Sequence, residues 1–62
     1  MDTLYISFDQ IGPERMQATL TREPDKNERE QLERIIVEHG GRNINWVEPD
    51  RVEFDVPGLT LN

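Results

Sequence analysis

The chain has sixty-two residues, 13 acids against 7 Lys and Arg for a net charge of −6, and no cysteine. A chain this short holds one domain, residues 1–62, near the size at which a core without disulfides or metal stops being sufficient, so dimerisation or docking on a larger partner is an open expectation. The missing cysteine excludes a disulfide framework and a thiolate metal site, and the acidic balance argues against direct binding to nucleic acid or to anionic membranes, both of which require Lys and Arg.

The opening MDTLYISFDQ has neither a basic leader nor a long apolar run, and no stretch is long enough to span a bilayer; a cytoplasmic protein is expected. Leu4, Ile6 and Phe8 alternate with Thr3, Tyr5 and Ser7, which predicts a half-buried strand over about residues 3–9. QIGPE supplies a turn. RMQATLTR then repeats the alternation with Met16, Ala18 and Leu20 inward, so the two segments should form an antiparallel hairpin.

The period changes in PDKNEREQLERIIVEHGG. Asp25 and Glu28 have capping-box spacing, Gly40 stands where a left-handed residue would end a helix, and the helix between them should cover about residues 26–39. Leu32, Ile35, Ile36 and His39 share one face of it, and Glu30 and Arg34 are spaced to pair on another. RNINWV, the turn EPD and RVEFDV give a second hairpin, with Ile44, Trp46, Val52, Phe54 and Val56 inward. Residues 57–62 open with Pro and Gly and are expected to form a flexible tail, in which Leu59 and Leu61 either extend an edge or pack below the sheet.

The expected fold class is therefore α+β, in the order β-β-α-β-β, with a four-stranded, mainly antiparallel sheet and one helix packed on one face. Two spatial orders keep every neighbour antiparallel, 2-1-3-4 and 1-2-4-3, and the sequence does not choose between them.

Candidate chemistry is sparse. His39, the lone histidine, sits at a helix C-terminus, where the helix dipole favours an imidazolium, and this structural role outweighs a catalytic one. A single His without Cys does not make a zinc site, and no acid spacing matches a calcium loop. Gly40 and Gly41 follow a helix instead of preceding one, so they stop it and do not cradle phosphate. Trp46 shares the parity of Ile44 and reads as core. Tyr5, Thr3, Ser7, Gln17, Thr19, Asn45 and Val47 belong to the face the helix leaves uncovered, which is solvated or serves for docking. No enzyme and no cofactor are expected.

The charge is unevenly distributed along the chain. Residues 1–14 carry −3, residues 15–42 balance, and residues 43–62 carry −3 again. Such a distribution favours a basic protein surface as partner. In EPDRVEFDVPG, Glu53 and Asp55 lie two residues apart on one strand face, about 6.7 Å, close to the roughly 7 Å between neighbouring phosphates of one DNA strand. Duplex DNA spanning so small a domain carries on the order of 16 phosphates, more than the 13 acids spread over all sides of this chain and offset by 7 bases. Only local imitation of a few phosphates is open.

A lone cysteine-free mini-domain with no enzyme motif, the compact MDTLYISFDQ start and the acid-rich EPDRVEFD hairpin resembles the small acidic inhibitor proteins encoded by phages, of which the anti-CRISPR proteins are the best-known group. That resemblance, which covers the whole chain without a diagnostic motif, implies stoichiometric inhibition in the host cytoplasm. The target implied is a basic nucleic-acid-binding surface of a defence complex, sometimes reached by DNA mimicry. The partner-binding residues expected on this reading are Asp2, Glu48, Asp50, Glu53 and Asp55, while Arg29 and Arg34 depart from a strongly mimetic surface. The alternative expectation is an assembly module that homodimerises or docks through the uncovered sheet face.

Overall fold

The computed structural model describes residues 3–59. Its elements run β1 (Ile6–Gly12), β2 (Arg15–Leu20), α1 (Lys26–Glu38), β3 (Arg42–Glu48) and β4 (Arg51–Asp55). The strands form one antiparallel sheet in the order β1-β2-β4-β3, so the fold is the expected α+β arrangement and 1-2-4-3 is the spatial order.

β1 begins later and ends later than its alternation suggests. Gln10, Ile11 and Gly12 continue the strand through a bulge, and the reversal needs only Pro13 and Glu14. Proline presets the second turn position, while Glu14 takes a left-handed φ of 59° at the third. Glu14 is held there from outside the hairpin: its carbonyl accepts from the Val56 N–H at 2.7 Å and its carboxylate from the Gly58 N–H at 2.7 Å.

The helix starts on a full capping box. Asp25 accepts from the Glu28 N–H at 2.8 Å and Glu28 accepts from the Asp25 N–H at 2.9 Å. Arg22 clamps the outer side of the same carboxylate with two bonds, at 2.9 and 2.8 Å. Together, Arg22 first and the Asp25 N–H second, they lower the Glu28 carboxyl to about 2. At the other end Gly40 adopts φ 88° and the Gly41 N–H returns to the Ile36 carbonyl at 2.8 Å. Gly41 is buried, and a Cβ there would collide with the Ile36 side chain and stand 3.2 Å from the Phe54 ring, so glycine is what lets β3 leave the helix so close to the core. Glu30 and Arg34 make no ion pair among the described residues.

Ala18, Leu20, Leu32, Ile36, Val52 and Phe54 are buried, and Leu4, Ile6, Met16, Ile44, Trp46 and Val56 pack around them. The core is thus centred on β2 and β4, the two interior strands. Trp46 is anchored from above: its indole N–H donates to Glu33 at 2.8 Å and the Arg29 guanidinium lies 4.5 Å from its ring centroid. The helix leans toward β3 as a result. Ile35, expected among the buried residues, is 46% exposed on the opposite flank, and Phe8 is 49% exposed below it. A helix about 10 Å wide does not roof four strands spaced about 4.8 Å apart. Leu59, whose N–H bonds to the Val56 carbonyl at 3.1 Å, lies near Phe8, Ile35 and Val56 on the helix-bearing face and does not extend an edge; Leu61 lies outside the described residues.

Candidate functional site

Antiparallel register sets the face of the sheet that α1 does not cover. Arg15, Gln17 and Thr19 of β2 stand opposite Asp55, Glu53 and Arg51 of β4, and β3 adds Arg42, Asn45 and Glu48 to the same three rows. Because β2 is inserted between β1 and β4, the base of β2 meets the acids of β4. Arg15 donates to Asp55 and to Glu53, each at 2.7 Å. A second donor, the Asn43 amide, reaches Asp55 at 2.8 Å from a bulge where Asn43 takes φ 56°. The Asn43 bond, then Arg15, lowers the Asp55 carboxyl below its ordinary value, and the two carboxylates raise Arg15.

Of the residues expected to meet a partner, Glu53 and Asp55 are thus brought together, but around a guanidinium. Their side chains keep only 25% and 30% of their exposure, and the phosphate-like spacing is filled by a cation. Glu48 and Asp50 sit at the β3–β4 turn, where Glu48 pairs with Arg51 at 3.5 Å and the Asp50 carbonyl accepts from the Leu20 N–H. Asp2 lies outside the described residues. Folding therefore interleaves acids and bases that the linear sequence separates. Tyr5, at the margin of this face, is 66% exposed.

The apolar opening is on the helix-bearing face. Between α1 and β1 runs a groove lined by Phe8, Met16, Ile35, Phe54, Val56 and Leu59, with His39 at its rim. On the other side of Ile35 a separate, more polar opening of about 430 Å³ is lined by Leu32, Ile6 and Leu4 with Gln31 and the Arg22–Glu28 pair. Phe8 closes the floor of the groove edge-on against Phe54, with centroids 6.4 Å apart at 81°. The groove beside Phe8, about 280 Å³, falls below the roughly 300–1,000 Å³ usual for small-molecule pockets, and its walls are nearly all apolar. Such a groove takes an aliphatic or aromatic side chain. The sequence carried a signal for it, three apolar helix residues facing four strands, but not which flank would stay open.

The two sheet edges differ in kind. β3 is broken by two register shifts, between Arg42 and Asn45 and between Trp46 and Glu48. β1 pairs regularly from Ile6 to Gln10, and that stretch, ISFDQ, has no proline, no Lys and no Arg. Among the described residues no group of three His, Asp or Glu converges to hold a metal ion, and no helix is long and apolar enough to cross a membrane. Comparison of the chain with protein-family models, with curated proteins and with solved structures finds no match in any of the three.

Proposed function

We propose that the protein is a non-enzymatic binding module that docks on a basic surface of a larger partner through its helix-bearing face. The observation that carries this reading is the open apolar groove between α1 and β1, with Phe8 and Ile35 each about half exposed beside a core cluster that, among the described residues, holds six buried side chains. A chain with so little apolar material gains by covering exposed Phe and Ile, and its net charge of −6 selects for a basic partner. Inhibition of a nucleic-acid-binding defence complex, as the resemblance to phage inhibitors implies, is one specific form of this reading. The groove is a better anchor for it than the Glu53 and Asp55 carboxylates, which Arg15 already occupies.

The test is recovery of a partner from the native host by the tagged chain, compared across two variants. Ile35→Glu should abolish recovery, while Glu53→Gln with Asp55→Asn should leave it nearly intact. Loss only in the second variant would return the interface to the carboxylate face, and retention in both would remove the groove from the interface.

A further inference from the structure

The groove is bordered on one side by β1 at Phe8, and that strand has unused hydrogen-bonding capacity. Tyr5 accepts from the Thr21 N–H at 3.1 Å, and the register pairs Ile6 with Leu20, Ser7 with Thr19 and Asp9 with Gln17. In an antiparallel ladder the bonded pairs alternate, so Tyr5, Ser7 and Asp9 direct their backbone groups to β2. The N–H and C=O groups of Ile6, Phe8 and Gln10 then face outward from the sheet.

Natural sheets guard such an edge with Pro, Lys, bulges or a covering loop. β3 carries two bulges, and Trp46 on it is covered by Arg29 and Glu33. Between Ile6 and Gln10, β1 has none of these devices. Side chains of an added strand opposite Ile6, Phe8 and Gln10 would fall on the same face as Phe8, beside the exposed Ile35. One strand could thus satisfy the edge and close the groove together.

Charge identifies the occupant. Residues 3–14 carry Asp9 and Glu14 and no base, the last turn of α1 has no base, and Glu38 there has no ion pair among the described residues. Among the described residues no Lys or Arg lines the groove, His39 stands at its rim, and Arg22 beside the neighbouring opening is engaged with Glu28. A second copy would bring a net charge of −6 against −6. A basic segment meets no such opposition.

We infer that β1 is a strand-addition site for an extended basic segment of the partner, which pairs antiparallel with Ile6, Phe8 and Gln10 and seats a large apolar side chain against Phe8 and Ile35. This inference rests on the groove-docking reading and specifies how the partner engages it.

The probe is a short synthetic peptide that alternates Lys with Val around a central Phe, titrated into the isotope-labelled full chain. Expected are saturable shifts at Ile6, Phe8, Gln10 and the Ile35 methyls, with slowed hydrogen exchange at the N–H groups of Ile6, Phe8 and Gln10. Affinity should fall about tenfold for Ile35→Gln and for a peptide with Glu in place of Lys. The emission of Trp46 reports that the variant is folded. If the Phe8 ring and Ile35 methyls respond while those three N–H groups keep exchanging freely, strand addition is overturned and groove docking stands. If neither responds up to millimolar peptide, both fall. Equal affinity for the acidic peptide removes the basic occupant, and a sedimenting dimer with the three N–H groups already protected in the free chain replaces it with a second copy.

Discussion

Arg15 donates to Asp55 at 2.7 Å across the β2–β4 ladder, joining residues forty positions apart in the chain. The same guanidinium holds Glu53, so one cation organises the acidic hairpin face. Arg15→Gln should therefore release Glu53 and leave Asp55 held by the Asn43 amide. The lowered Asp55 carboxyl contributes stability above the ordinary carboxylate range, and that contribution is lost as pH falls through its lowered value. In the variant Asp55 should titrate closer to its ordinary value, with the Asn43 bond retaining part of the shift. Carboxyl-carbon NMR titration measures this directly, and an unchanged Asp55 curve would mean that Arg15 does not engage it in solution.

The Arg22–Glu28–Asp25 cluster predicts a second pH dependence. Glu28 lies at about 2 in the folded chain, against about 4.5 for the free side chain. The unfolded state thus takes up the proton first as pH falls, and stability should decline between about pH 4.5 and 2. Glu28→Gln keeps part of the capping geometry but should flatten that segment of the stability profile. Asp25→Ala, which removes the N-cap itself, should cost about 1 kcal/mol at neutral pH. Thermal melts followed by circular dichroism over this pH range compare the three proteins.

Gly40 and Gly41 are adjacent yet should respond to alanine for different reasons. At Gly40 the space is open and only the left-handed φ of 88° opposes a side chain, a penalty of about 1 kcal/mol. At Gly41 the new methyl would strike Ile36 and crowd Phe54, and overpacking of a core contact costs about 1–3 kcal/mol. Urea unfolding should rank Gly41→Ala below Gly40→Ala. The reverse order would show that β3 can move away from the helix without loss.

Periodicity alone was enough to identify all five elements, because each has a clean apolar repeat bounded by Gly, Pro or a cap: Leu4 to Phe8, Met16 to Leu20, Leu32 with Ile36, Ile44 with Trp46, and Val52 with Phe54. The candidate site was less legible, for a topological reason. In the order 2-1-3-4, β4 would have been an outer strand beside β3 alone, with Glu53 and Asp55 remote from Arg15. In the observed order β2 is its neighbour and the charges cancel locally. Alternation in a hairpin does not encode which strand the hairpin joins. The exposure of Phe8 and Ile35 was hidden similarly, since both have core parity and only the lean of α1 toward Trp46 uncovers them.

The bulges in β3 carry a consequence for stoichiometry. Fibrous β-assembly propagates only when each unit offers two competent edges, one to receive and one to extend. This sheet has a margin at β1 that is regular from Ile6 to Gln10 and a margin at β3 broken by two register shifts. Whatever strand joins β1 therefore terminates growth, and the complex should stop at one partner per chain however high the concentration.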